Sequence, residues 1–217
     1  MRRSPVVAGI GGIAFGVLTI VGLALIGPPG GTFKAHDVSK YLEKGHRVAV
    51  IAGLYVELLA VLGLILLLAF LRERVAAWAT RVFWTLGTIA AGALALGFAV
   101  MAAGAIARAI GGSSVVVPAT TSYVISQIGG TIVWGPGGIL LAFALIALAL
   151  SVGIAVPAWL RWLTLVLGII GLASPAFFPS LALLVWGVVT GLWLSIAGAR
   201  GDGAPRAATA GPSSAAS

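Results

Sequence analysis

Residues 47–71, RVAVIAGLYVELLAVLGLILLLAFL, decide the fold of this chain. After Arg47, this stretch contains one ionisable side chain, Glu57, and every other residue is apolar apart from Tyr55. An apolar helix of about 20 residues, rising roughly 1.5 Å per residue, crosses a bilayer core about 30 Å thick. The stretch is therefore predicted to be a transmembrane helix.

The composition of the whole chain is typical of a membrane protein. Of its 217 residues, 60% are hydrophobic and 8% are charged, with a mean hydropathy of +1.16, whereas soluble domains carry about 25% charged residues. The net charge of +8 is spread over loops and termini, without the clustered basic patch of a nucleic-acid surface. We expect these cations to set the orientation of the spans and to contact lipid headgroups, so the expected partner is the lipid bilayer and not nucleic acid.

Apolar runs predict an all-α, polytopic transmembrane bundle of six spans within residues 1–198. Residues 199–217 form a low-complexity tail that we expect to be disordered and cytoplasmic. The segment HDVSKYLEKGHR, residues 36–47, predicts a short amphipathic surface helix before span 2. The predicted spans cover residues 6–26, 47–71, 82–110, 122–153, 157–173 and 181–197.

The first apolar run could also be a cleaved signal peptide. It is longer than the usual apolar core of about 7–15 residues, and no A-x-A site follows it, so we predict a retained first span.

Small residues recur at helical spacing in spans 1, 3 and 6. Such faces let helix backbones approach closely in a membrane, so we predict that the bundle packs through them. Association with a second copy or with another membrane protein through these faces is the alternative. The residues are Gly12 and Gly16; Gly87, Gly92, Gly97 and Gly104; and Gly187, Gly191 and Ser195.

Span 4 carries the sequence GGTIVWGPGG, residues 129–138, in which Pro136 interrupts the helical hydrogen-bond pattern. One reading is a tilted, Pro-kinked span, and the other is a broken helix lining a cavity, as in transporters. The kinked span is favoured because Pro and Gly are common in transmembrane helices.

Glu57 is the main functional candidate in the sequence. It lies about 14 Å below the start of the span, where a carboxyl group costs about 2.5–3.5 kcal/mol, so we predict that it faces the bundle interior. Burial disfavours the charged form, so it should be neutral unless water reaches it. Thr19 and Thr190 lie at similar depth, and Gln127 and Thr131 of span 4 are the predicted hydrogen-bond partners.

Two roles for Glu57 follow from this placement. It could link spans 2 and 4 as a structural hydrogen-bonding group, or it could carry a proton or coordinate a cation. Arg108, near the end of span 3, is a candidate counter-ion, but its depth favours a side chain that extends to the interface instead. We therefore expect no direct ion pair between Arg108 and Glu57.

The residue pattern predicts no catalytic, cofactor or metal site. His36, Asp37, Glu43 and His46 match no ligand spacing. Both His residues precede span 2, so the spans contain no base for a serine nucleophile and no haem ligand. We therefore expect that the protein is not an enzyme.

The distribution of basic residues predicts the orientation. Six spans place both termini on one side, with eight Lys and Arg residues against five on the other, so both termini should be cytoplasmic. The eight are Arg2, Arg3, Arg72, Arg74, Arg81, Arg161, Arg200 and Arg206, and the five are Lys34, Lys40, Lys44, Arg47 and Arg108.

Three stretches carry a family resemblance: SKYLEKGHRVAV, TSYVISQIGG, and PAWLRWLTLVLGII with the later FFPSLALLVWGVVTGLWL. Together they resemble a broad group of small, Ala/Gly-rich, six-span bacterial membrane proteins of actinobacterial type, a group without an assigned function. The resemblance implies a six-helix bundle in the plasma membrane and carries over no catalytic residue.

Two functional classes remain. The first is a non-catalytic membrane component packed through its glycine faces, and the second is a small transporter or channel that uses Glu57 as a proton or cation site. The feature that separates them is a water-accessible cavity reaching Glu57.

Overall fold

The structure is a computed structural model that describes residues 4–27, 36, 42–74, 77–114, 116–151 and 156–199. Most of the described residues are helical, and none of them lies in a strand. Predictions for residues 37–41 of the surface helix and for the tail, 200–217, lie outside the described residues. The helices are α1 (Pro5–Ile26), α2 (Lys44–Arg72), α3 (Ala77–Gly111), α4 (Ala119–Ile132), α5 (Gly138–Leu150), α6 (Ala158–Gly171) and α7 (Leu181–Ala199).

Five helices in the described chain are long and apolar enough to cross a membrane, which fits a multi-pass helical bundle. They are α1, α2, α3, the continuous helix Ala119–Leu150 and the segment Phe178–Ala199. The remaining apolar helix, α6, has 14 residues and is about 21 Å long, shorter than a bilayer core of about 30 Å. Six complete spans therefore remain a prediction.

Local sequence explains where the helices begin and end. Pro5 opens α1, because its missing N–H costs nothing in the first turn. Gly27 ends α1 in the left-handed conformation, with φ 49°, and its N–H donates to the Leu23 carbonyl over 2.8 Å.

Six helices form a ring in the order α1, α2, α3, α5, α6 and α7. The antiparallel helices α1 and α2 form one pair, α7 packs on the other side of α1, and α6 joins α7 to α5. Helix α3 contacts α2, α4 and α5, so α4 lies beside the ring that the other helices close. We call the end where α1 finishes and α2 begins the Ile26 end, and the opposite one the Pro5 end.

The predicted packing of helices through glycine faces is confirmed at Gly12, Gly97 and Gly191, one glycine from each of the three predicted faces. A Cβ atom would lie 2.6 Å from the Gly187 carbonyl oxygen if added at Gly12, and 2.5 Å from Val133 Cγ2 if added at Gly97. At Gly191, the Gly9 carbonyl oxygen is 2.5 Å away. Since real Cβ atoms do not approach so closely, these glycines permit the helix contacts.

The helix is continuous through Pro136, so the broken-helix alternative for span 4 is wrong. Residues Val133–Gly137 form a π-helical turn, and Ile132 and Gly138 on either side keep helical backbone angles. A π-turn accommodates the missing N–H of a proline without ending the helix.

The connection between α6 and α7 lies beside this π-turn. Ser174 Oγ donates to the Trp134 carbonyl over 2.6 Å, and the Phe177 ring meets the Trp134 ring edge-on at 5.2 Å. Trp134 lies 15 residues after Ala119 and 16 before Leu150, near the middle of the long helix. The tip of the α6–α7 hairpin therefore reaches about half the depth of span 4.

Candidate functional site at Glu57

Glu57 is buried in the contact between α1 and α2, with 0% of its surface exposed. It shares one face of α2 with Val50, Gly53 and Leu54, which are also buried. The prediction that Glu57 faces the bundle interior is confirmed.

The carboxyl group packs directly onto the backbone of Gly22. A Cβ atom added at Gly22 would lie 2.7 Å from Cγ, Cδ and Oε1 of Glu57. One turn earlier on α2, Gly53 lies against the carbonyl of Gly22 and against Ile26. These two glycines bring the backbones of α1 and α2 close enough to enclose the carboxyl group.

The polar surroundings of the carboxyl group come from α1. The Thr19 side chain and the Leu23 backbone lie next to it. Among the described residues, however, neither carboxyl oxygen of Glu57 nor Thr19 Oγ1 has a partner with hydrogen-bond geometry. Unsatisfied polar groups of this kind cost about 1–3 kcal/mol each when buried, so the site requires a physical explanation.

The predicted partners on span 4, Gln127 and Thr131, do not meet Glu57. Both are exposed on α4, which packs against α3, and Thr131 Oγ1 donates within its own helix to the Gln127 carbonyl over 2.9 Å. The predicted link between spans 2 and 4 is therefore wrong, and Glu57 joins α2 to α1. A residue's depth does not determine which face of its helix it occupies.

Arg108 is not bonded to Glu57, as the sequence predicts, because both carboxyl oxygens lack a partner. It lies in the last turn of α3 at the Ile26 end, and its carbonyl accepts a hydrogen bond from Arg47 Nη1 over 3.2 Å.

A small cavity lies beside Thr19 in the centre of the ring. Its volume of about 20 Å³ exceeds the roughly 10–15 Å³ that one water molecule needs. The cavity extends from Thr19 to Trp134 at the π-turn and to Ser180 at the hairpin tip, and the surface that these and its other lining residues present to it is apolar. The remaining lining residues are Phe15, Leu94, Phe98, Val133, Gly138, Leu141, Leu183 and Leu184.

Apolar side chains close the site toward the Ile26 end. Ile26 and Val50 have no exposed surface and Leu54 has 8%, and all three lie on the side of Glu57 nearer that end. The carboxyl group is thus enclosed, and it does not line the cavity beside Thr19.

Sequence reasoning placed Thr19 at the right depth but did not select it, and it missed Gly22. The sequence does contain a signal for this contact: Gly22 is a small residue near the end of span 1, where span 2 can pack closely with its Glu57 side chain. Elements that follow one another in the chain usually pack against each other, which favours span 1 over span 4. No protein-family model, no curated protein and no solved structure matches this chain.

Proposed function

We propose that this protein is a non-catalytic integral component of the bacterial plasma membrane, with both termini cytoplasmic and no cofactor. The observation that supports this best is the enclosure of Glu57: the carboxyl group packs on Gly22 with no exposed surface. A transport site must exchange its ion with water, whereas a structural group can remain closed.

In this proposal, Glu57 is a neutral group that fixes how α1 and α2 pack. An ionised carboxylate without a counter-ion is very costly in an apolar interior, whereas a protonated carboxyl group is tolerated. The protonated form can donate one hydrogen bond, and the hydroxyl of Thr19 is the adjacent acceptor.

Glu57→Gln tests this role because glutamine has a similar shape and hydrogen-bonding capacity but cannot titrate. We expect Glu57→Gln to melt in detergent within a few degrees of the parent protein. Glu57→Leu, which removes the polar group, should shift the packing of α1 on α2 and change the melting temperature more. A glutamine variant that fails to assemble would contradict a neutral structural role.

A second candidate is a small transporter or channel with Glu57 as its proton or cation site. The unpartnered carboxyl oxygens and Thr19 hydroxyl favour it, because buried polar atoms without a protein partner are where a protein holds an ion or a water.

Proton flux into proteoliposomes distinguishes the two candidates. With an imposed membrane potential and an internal pH dye, the structural role predicts the same leak for the parent protein and for Glu57→Gln. A leak above protein-free vesicles that Glu57→Gln abolishes, and that Glu73→Gln retains, would establish the second candidate. Glu73 is a suitable control because it is exposed at the other end of α2.

A further inference from the structure

A large cleft opens at the Ile26 end, between the starts of α2 and α4 and the end of α3. Its volume is about 460 Å³, far larger than the cavity beside Thr19. Two helices supply the cations among the described residues of its lining, with Lys44 and Arg47 from α2 and Arg108 from α3. The other lining residues are Leu42, Glu43, Val116, Val117 and Ala119.

The cleft is strongly basic. Among the described residues, three cationic side chains and one carboxylate, that of Glu43, line the cleft, so this part of the lining has a formal charge of +2. The hydrogen bond from Arg47 Nη1 to the Arg108 carbonyl holds the Arg47 guanidinium at the end of α3. A guanidinium has five N–H donors, so Arg47 retains further donors for a ligand.

The helix backbones add to this potential. Helices α2 and α4 both begin at the cleft, and their N-cap residues, Glu43 and Pro118, make no side-chain capping bond. Helix N-termini carry a partial positive charge, so they add to the attraction that the three side chains exert on an anion.

The position of the cleft indicates where the anion comes from. It opens where three apolar helices end, which for membrane-spanning helices is the level of the lipid headgroups. Leu42, Val116 and Val117 provide apolar walls, and Val116 is 80% exposed. A ligand that combines a phosphate with hydrocarbon fits both parts of this lining.

We infer that this cleft binds the phosphodiester headgroup of an anionic phospholipid through Lys44, Arg47 and Arg108. The phosphate carries one negative charge, which the two guanidinium groups and the ammonium group can bind together. A headgroup hydroxyl, as in phosphatidylglycerol, can donate to Glu43, which explains a carboxylate in a basic cleft.

The test compares lipid binding by the full chain and by a double variant, Lys44→Gln with Arg108→Gln. Nanodiscs of phosphatidylcholine receive increasing phosphatidylglycerol, and native mass spectrometry counts the lipid retained by the protein. A cation near an anionic lipid contributes about fivefold in affinity, so the double variant should bind phosphatidylglycerol roughly 25-fold more weakly. Arg72→Gln, a loss of charge at the Pro5 end, is the matched control and should change binding less than about twofold.

Two additional measurements keep the result interpretable. The melting temperature in pure phosphatidylcholine nanodiscs shows whether each variant folds, and Lys44→Gln alone, an exposed change, serves if the double variant does not. Equal retention by all proteins, or an equal loss with Arg72→Gln, would overturn the inference. Displacement of the lipid by inorganic phosphate at millimolar concentration would assign the cleft to a free anion instead.

Discussion

At residue 57, a carboxyl group occupies the space that a side chain on residue 22 would fill. The contact is specific because three atoms of Glu57 lie within 2.7 Å of the position of a Gly22 Cβ atom. The local fit of α1 on α2 therefore depends on a pair of residues from two helices. This pairing can be tested by a double-mutant cycle.

Gly22→Ala should destabilise the protein by about 1–3 kcal/mol, because it overpacks a closed contact. Adding Glu57→Ala should recover part of this loss, since it removes the atoms that the new methyl group meets. Unfolding in mixed detergent measures each corner of the cycle. Gly45→Ala is the control, because nothing lies within 4 Å of its Cβ position. Additive effects of the two changes would show that the residues do not share the contact.

At the scale of elements, the glycines of one helix differ in what they contact. On α3, Gly97 lies against Val133 and the Gly129 carbonyl, whereas Gly92 has nothing within 4 Å and is exposed. Both were predicted as packing residues from their spacing, but only Gly97 faces a neighbouring helix.

Gly97→Ala should therefore lower the melting temperature, while Gly92→Ala should leave it unchanged or raise it. Alanine gains up to about 1 kcal/mol over glycine in a helix interior when no steric conflict opposes it. Thermal unfolding of the two variants in the same detergent checks this difference. Equal destabilisation by both changes would mean that the α3–α4 contact does not depend on Gly97.

The π-turn and the α6–α7 hairpin also support each other through one hydrogen bond. Ser174→Ala removes the donor to the Trp134 carbonyl and should cost about 1 kcal/mol. Thr131→Val is the control, because Thr131 is exposed and bonds within its own helix. The same loss in both variants would assign the effect to general hydroxyl removal, and not to the link between these elements.

At the scale of the whole molecule, the depth of the α6–α7 hairpin bears on whether the bundle has five or six complete spans. The tip of the hairpin lies beside Trp134. Gly16 of α1 contacts Leu184 near the start of α7, and α1 continues for ten residues beyond this contact to Ile26. The hairpin therefore stops short of the Ile26 end.

The described ends of the chain lie together, since a Cβ atom added at Gly198 would be 2.8 Å from Pro5 Cγ. We therefore predict that the two termini share a side of the membrane whether or not the hairpin crosses it completely.

Single-Cys variants can test both features because the natural chain has no Cys. Ser4→Cys should resist an impermeant maleimide applied to intact cells, and Ser114→Cys should react, since these residues lie at opposite ends. The reverse pattern would place both termini outside.

Phe178→Cys tests the depth of the hairpin. Its side chain is 75% exposed, yet we expect no reaction from either side because the tip lies at the depth of Trp134, within the bilayer. The thiol should react after solubilisation in denaturing detergent. Labelling in intact cells at the rate of Ser114→Cys would instead show six complete spans.

The sequence by itself determined the helical membrane class, the inward-facing Glu57 and the use of glycine faces. These follow from the bilayer, which requires internally bonded helices and penalises a lipid-facing carboxyl group. Only the tertiary structure decided that Glu57 meets Gly22 and Thr19 instead of Gln127 and Thr131, that Gly92 is open, and that α6 is short. Depth and spacing specify where a residue lies along its helix. The residue that it contacts on a neighbouring helix depends on how the helices are rotated and ordered, and this is set by their packing.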